Sequence, residues 1–157
     1  MSAYYTQKMT ICSNNDWRFL EIAAEEASKS KVKYHKHGCV AVASGKVVAR
    51  GCNHYRAFSK DGLLDNACTC HAEIDVLRKC LKKHMPKKLT IYVVRVSQQG
   101  NILLSQPCVD CHSKMKDFPV KNIIYSGEHN EICKMKMNEF STSFITSGHR
   151  AIQDGRM

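Results

Sequence analysis

The chain has 157 residues, of which 43% are hydrophobic and 24% charged. This length suits one domain with a sizeable core, and no apolar run approaches the roughly 20 residues of a membrane span. The formal net charge is +10, which indicates either solvated basic faces or a partner or substrate that carries phosphate. Because the N-terminus lacks the apolar core of a signal peptide, we expect a cytoplasmic protein without a membrane partner, the nucleus not excluded.

Nine cysteines are present, which is an unusually high number. Four of them fall in apolar patterns, where a cysteine usually behaves as a small hydrophobe: Cys39, Cys52, Cys80 and Cys133. A reducing compartment is therefore expected, rather than a disulfide framework. Cys68 and Cys70 are either ordinary thiols or part of a second zinc site with His35, His37 or His84.

The first part of the chain predicts a helix followed by a hairpin. The pair Ser13 and Asp16 resembles a capping box and opens a helix over residues 13–30. The residues expected on its core stripe are Trp17, Leu20, Ala24 and Ala27. Apolar runs at residues 38–43 and 46–51 flank a two-residue turn, which favours a β-hairpin.

The rest of the chain predicts alternating helices and strands. After a loop over residues 54–69, a second helix over 70–84 has Ile74, Leu77 and Leu81 on its core stripe. The remaining elements are a strand at 89–96, a short return at 102–105, a helix at 107–117 and a strand at 120–126. In the tail, Cys133, Met135 and Met137 alternate with lysines, which favours a strand over a short helix. His149 or Arg150 could fold back onto a site, although a frayed terminus is the simpler interpretation.

Two short stretches contain the residue types of a zinc hydrolytic site: Cys70-His71-Ala72-Glu73 and Pro107-Cys108-Val109-Asp110-Cys111. A catalytic zinc takes three protein ligands and keeps one position for water, and His71, Cys108 and Cys111 supply three. Cys108 and Cys111 stand at i and i+3 at the head of a predicted helix, where the dipole favours thiolate. Glu73 is expected to stay off the metal and to move protons, because zinc lowers the pKa of its water to roughly 7.

Each motif alone is a weak signal, since C-x-x-C is shared by redox and metal sites. The alternatives are a chance alignment of core residues and a structural metal site in which Glu73 is idle. Both are disfavoured because the two motifs occur in this order, with Pro before Cys and a strand between them.

The two motifs together resemble those of the zinc-dependent cytidine and deoxycytidylate deaminase superfamily. The resemblance covers a motif core of about residues 17–126 within one domain over 1–157, and leaves 127–157 as a C-terminal extension. It implies an α/β fold, a three-layer α-β-α sandwich around a mixed sheet of about five strands. It also implies Zn²⁺ as the cofactor, with His71, Cys108 and Cys111 as ligands, and a homo-oligomer.

The same resemblance implies substrate contacts. Asn53 matches the substrate-binding Asn that follows the family's second strand. The backbone of Ala72 would meet the base, and the carbonyl near Ser105 would accept from its amino group. Independently of the resemblance, Arg56 and Lys60 lie in the loop before His71, where they either hold a phosphate or are surface charges.

The chain looks most like the deoxycytidylate type, because it has a long loop before His71 and a basic surface. The expected reaction converts cytosine to uracil in a free nucleotide or nucleoside, with zinc-bound hydroxide as nucleophile and Glu73 as proton shuttle. His54 and His112 depart from the family pattern. These two departures bear on which substrate is bound and not on the zinc chemistry. The alternatives are a deaminase of RNA or single-stranded DNA, including the tRNA adenosine type, with Tyr55 and Phe58 as platforms, and a catalytically idle binding relative.

Overall fold

The structure is a computed structural model that describes residues 12–65, 67–128 and 131–146. His149 and Arg150 lie outside the described residues. The elements in chain order are α1 (Asn14–Ser28), β1 (Lys36–Ala43), β2 (Lys46–Cys52), α2 (Ala72–Leu81), β3 (Leu89–Val96), β4 (Ile102–Leu103), α3 (Val109–Met115), β5 (Val120–Ser126), β6 (Ile132–Lys136) and a 3-10 turn (Met137–Glu139). The order predicted from the sequence is confirmed, with each helix shorter than expected by a few residues at its ends.

The six strands form one mixed sheet in the order β2-β1-β3-β5-β6, with β4 paired to β3. β3 and β5 are parallel, and the other pairs are antiparallel. The count exceeds the predicted five or so because the short return at Ile102 and Leu103 pairs with Val96 and Arg95. A parallel pair needs a crossover connection, and here that connection carries α3.

Helices cover both faces of the sheet, which confirms the predicted three-layer sandwich. Along β3, Ile91 and Val93 belong to the core under α2 and α3, whereas Tyr92 and Val94 belong to the core under α1. This alternation is the period of two that a strand imposes on its side chains. Because both faces are covered, the strand is apolar over most of its length, with Thr90 and Arg95 as its polar residues.

The helix α1 lies unusually close to β1 because β1 carries a glycine at the crossing point. A Cβ atom on Gly38 would stand 1.9 Å from the carbonyl oxygen of Ala23. The capping box of Ser13 and Asp16 is present as predicted. The buried face of α1 carries the apolar residues Phe19, Leu20, Ala23 and Ala27.

Two of the predicted core positions are wrong. Trp17 is 48% exposed. With 100° of rotation per residue, it lies about 120° around α1 from the centre of the buried face. Leu81 is 47% exposed, because it is the last residue of α2. Ala24 is only partly buried.

The C-terminal extension completes the core. β6 confirms the predicted strand, with Cys133 and Met135 buried at its centre. Phe140 is also buried and packs edge-on against the rings of Tyr125 and His112. Within the described part of the chain, no helix combines the length and the apolar character that membrane crossing requires.

Candidate active site

The N-termini of α2 and α3 bring the three predicted metal ligands together. The Nδ1 atom of His71 lies 3.2 Å from the sulfur of Cys111 and 3.6 Å from the sulfur of Cys108. One donor atom from each of the three residues lies within 4.8 Å of the other two. Both cysteines are buried, so their sulfur atoms are shielded from bulk solvent.

Local backbone geometry explains how each donor is aimed. His71 is the N-cap of α2 and makes no side-chain cap bond, so its ring is left to face the sulfurs. Cys108 is the N-cap of α3 with extended backbone, and its sulfur accepts from the Cys111 amide at 3.4 Å. The expectation that both cysteines lie inside the helix is corrected here, because α3 begins at Val109. The two sulfurs remain neighbours, since the N-cap side chain reaches the amide three residues on.

The donor set fits zinc. Zinc binds sulfur at about 2.3 Å and imidazole nitrogen at about 2.0–2.1 Å. At a tetrahedral angle such donors stand about 3.5 Å apart, close to the two nitrogen–sulfur separations found here. A set of one imidazole and two thiolates also binds zinc in preference to hard cations.

The electrostatics of the cluster favour a thiolate at Cys108. A hydrogen bond from the Cys111 thiol, together with His71, lowers the pKa of Cys108 to about 4 against the effect of burial. The same sulfur–sulfur hydrogen bond and burial raise the pKa of Cys111. Burial acts to lower the pKa of His71, but its hydrogen bond to Cys108 and nearby negative charges raise it overall.

Glu73 lies at the same helix start but outside the group of donors. It is 4% exposed, on the first turn of α2. Burial raises the pKa of its carboxyl, and the charge of His71 acts in the opposite direction. A buried carboxyl with a raised pKa is suited to taking up and releasing protons.

Three of the predicted substrate-contacting residues, Asn53, Ala72 and Ser105, are buried. Ala72 is fully buried at the start of α2. The Asn53 amide donates to the carbonyl of His35 and accepts from the amide of His37. The Ser105 hydroxyl donates to the carbonyl of Val93 at 2.8 Å, so both polar side chains are held by backbone groups.

Arg56 and Lys60, in contrast, lie on an exposed loop. The Nε atom of Arg56 donates to the carbonyl of Phe58 at 2.9 Å. The base of the loop is closed by two backbone hydrogen bonds between His54 and Cys70, of 3.1 and 2.7 Å. The structure therefore fixes the loop next to His71 and leaves both cations facing solvent.

Two basic residues, His37 and Arg95, lie close together near the cluster. The sequence named His37 only as a possible ligand of a second zinc site and did not single out Arg95. Burial is the main cause that lowers the pKa of His37, to about 3, and the charges of His71 and Arg95 act in the same direction. Arg95 bonds the Nδ1 atom of His35 at 2.8 Å, and its Nε atom is buried without a partner in the described chain. Only the register that pairs His37 with Arg95 across β1 and β3 brings them together, so no local pattern could have indicated it.

A second group of possible metal donors lies at the base of the same loop. One donor atom from each of His54, Cys70 and Asp75 lies within 4.8 Å of the other two. The sequence left Cys68 and Cys70 open as ordinary thiols or as ligands of such a site with other partners, and Cys68 belongs to neither group. His35, His37 and His84 belong to neither group. His54, two residues after β2, takes their place because it pairs with Cys70.

Comparison with known proteins identifies the fold and the family. The chain is 25% identical over 139 residues to the deoxycytidylate deaminase of Schizosaccharomyces pombe, a match that covers 79% of this chain and 42% of that protein. The chain thus spans less than half the length of this curated relative. A dCMP deaminase from the cyanophage S-TIM5 is 20% identical, with a TM-score of 0.55 over 76% of this chain and 88% of the phage chain.

A mutant cytidine deaminase from Mycobacterium tuberculosis has the same fold, with 17% identity and a TM-score of 0.53 over 82% of this chain and 98% of its own. Residues 13–127 match the family described as the cytidine and deoxycytidylate deaminase zinc-binding region. That match includes His71, Glu73, Cys108 and Cys111, and it covers more than half of the chain. The chain therefore belongs to the cytidine and deoxycytidylate deaminase family that this zinc-binding region defines.

Proposed function

We propose that the chain catalyses the hydrolytic deamination of cytosine to uracil in a free nucleotide or nucleoside, with a substrate similar to dCMP. The observation that carries the proposal is the burial of the Glu73 carboxyl beside the cluster of His71, Cys108 and Cys111. The family supports the reaction class, and the phage relative was crystallised in complex with dCMP and dUMP. An acid–base group next to a metal with an open position is the minimum for this hydrolysis.

Zinc held by these three residues would lower the pKa of its water and so supply the nucleophile near neutral pH. Glu73 takes up the proton that the water loses and delivers it to the ring nitrogen next to the reacting carbon. Glu73 then takes the second proton from the oxygen now bonded to that carbon and passes it to the exocyclic nitrogen, whose bond to the carbon breaks as ammonia leaves. Uracil and ammonia are the products, and Glu73 returns to its starting protonation state.

The substrate contacts stay as proposals. The Oδ1 atom of Asn53 has a second lone pair, so a contact with the sugar is compatible with its bond to the amide of His37. The backbone at Ala72 is proposed to meet the base, because Ala72 separates His71 from Glu73 in the chain. The carbonyl at Ser105 lies three residues before Cys108 and is proposed to accept from the amino group.

The test is ammonia release from the zinc-loaded chain with a panel of substrates, with Glu73→Gln as the blank. The panel contains cytidine, deoxycytidine, their mono- and triphosphates, adenine and guanine compounds, and a short single-stranded oligonucleotide. Turnover of one small pyrimidine that the blank lacks would support the proposal. No turnover by a chain that holds zinc would contradict it and favour the idle relative.

A second candidate substrate is single-stranded nucleic acid, and one specific observation favours it. Tyr55 and Phe58 are 66% and 61% exposed on the same loop as Arg56 and Lys60. Exposed aromatic rings interleaved with cations are the usual platform for stacked bases and backbone phosphates. Turnover of the oligonucleotide alone would establish this candidate and reject the free nucleotide.

A further inference from the structure

The group formed by His54, Cys70 and Asp75 is a second, separate set of metal donors. Cys70 is fully buried and Asp75 is 8% exposed, while His54 is half-buried. The three residues come from different parts of the chain: the segment after β2, the residue before His71, and the first turn of α2. Their donor atoms nevertheless lie within 4.8 Å of one another.

The hydrogen bonds around the group orient its members as ligands. The Nδ1 atom of His54 lies 3.2 Å from the carbonyl of Cys52. Since a carbonyl only accepts, Nδ1 carries the proton and Nε2 keeps its lone pair. A metal-binding histidine is commonly held in this way by a carbonyl behind it. The Lys79 ammonium stands 3.1 Å from Oδ2 of Asp75 and fixes that carboxylate as well.

The chemistry of the donors selects the metal class. Imidazole nitrogen, thiolate sulfur and carboxylate oxygen are all zinc ligands, at about 2.0–2.3 Å. Magnesium and calcium prefer all-oxygen sets, which a group with a thiol and an imidazole does not provide. In a reducing compartment the Cys70 thiol stays available for such a bond.

The position of the group gives a metal there a structural role. His54 and Cys70 are already paired through their backbones at the base of the loop, and Cys70 is bonded directly to His71. A metal ion would join the loop base to α2 through side chains. It would thereby hold the residue that precedes a ligand of the first cluster.

We propose that His54, Cys70 and Asp75 bind a structural zinc ion, distinct from the zinc held by His71, Cys108 and Cys111. The proposal concerns the same region as the proposed deaminase site but is independent of the substrate. It predicts two zinc ions per chain. The loss of either group removes one of them.

Zinc per chain is measured by mass spectrometry on the full chain after dialysis against metal-free buffer. The unmodified chain should hold two, Cys70→Ser and Cys108→Ser should each hold one, and the double variant none. Cys80→Ser is the matched control, because Cys80 is a buried thiol of α2 outside both groups, and it should hold two. One zinc in the unmodified chain, kept by Cys70→Ser and lost by Cys108→Ser, would overturn the proposal.

A cobalt titration of the unmodified chain keeps the proposal falsifiable if Cys70→Ser does not fold. Two equivalents should bind, each with a sulfur-to-cobalt absorption band, whereas saturation at one equivalent would overturn the second site. Activity separates this result from the proposed function. A chain with one zinc that still deaminates cytosine would reject the structural site alone, and a chain with two zinc ions and no turnover would reject the deaminase alone.

Discussion

Arg78 on α2 donates through Nε to Oδ2 of Asp61 at 2.8 Å, and so ties the loop of residues 54–70 to the helix that begins at His71. Asp61 also accepts from the Ser59 hydroxyl and from the amide of Leu63. Burial acts to raise the pKa of Asp61, but the hydrogen bonds from Ser59 and Arg78 lower it to about 2. The loop is therefore held by an ionised carboxylate at every pH near neutrality.

Asp61→Asn should destabilise the chain by about 1 kcal/mol, the size expected for a charged hydrogen bond that is partly open to solvent. Because the folded pKa lies below the ordinary value of 3.8, the stabilisation is complete above about pH 4 and is lost as the pH falls toward 2. Urea unfolding of both chains should give a difference at pH 6 that narrows at pH 3. Asp65→Asn, an exposed carboxylate on the same loop, is the control. A difference that widens in acid would contradict the assignment.

A buried polar network holds α1 to the sheet on the face opposite the donor clusters. The Tyr92 hydroxyl donates to Oδ1 of Asp16 at 2.6 Å, and the Lys134 ammonium donates to Oδ2 at 2.7 Å. Asp16 is 5% exposed, so removing a donor leaves a buried carboxylate with fewer partners. Tyr92→Phe should cost about 1–2 kcal/mol of unfolding free energy, and Lys134→Met about 2–3 kcal/mol.

Chemical denaturation measures both effects. The control is Lys136→Met, which removes an exposed lysine two residues further along β6 and should change stability by less than about 0.5 kcal/mol. Zinc content should be the same in all three variants, since the network lies on the other side of the sheet. An equal loss of stability in Lys134→Met and Lys136→Met would show that the network is not the cause.

The first metal cluster could be predicted from the sequence because its information is local. His71 and Glu73 are two residues apart, and Cys108 and Cys111 three, so each pair is placed by one helix start. The predicted capping pair at Ser13 and the hairpin depended on equally short distances. Patterns of this kind can be recognised without knowledge of the tertiary structure.

The second group could be predicted only in part, because it depends on long-range pairing. Cys70 stood out in the sequence, but its partner His54 lies just after β2, 16 residues earlier. Only the bridge between His54 and Cys70 brings the two together. The burial of Phe140 and the exposure of Trp17 depend in the same way on where neighbouring elements pack. The homo-oligomer implied by the family stays a prediction.

Glu73→Gln should abolish turnover while the zinc of the first cluster stays bound. The amide keeps the shape of the side chain but cannot carry protons, and loss of an acid–base group typically costs a factor of about 10²–10⁴. Ammonia release and zinc content are measured on the same preparation. Loss of zinc from this variant would contradict the placement of Glu73 outside the donor set.

Arg56 and Lys60 are proposed to bind the phosphate of a nucleotide substrate. Replacing both with Ala should raise KM for the monophosphate several-fold and leave KM and kcat for the bare nucleoside unchanged, because only the charged group is contacted. Lys46→Ala, an exposed lysine of the hairpin, is the control for net charge and should change neither substrate. An equal effect on nucleotide and nucleoside would show that the loop shapes the pocket rather than binding phosphate. An unchanged KM for both would place phosphate recognition elsewhere, with Arg95 beside His37 as the next residue to replace.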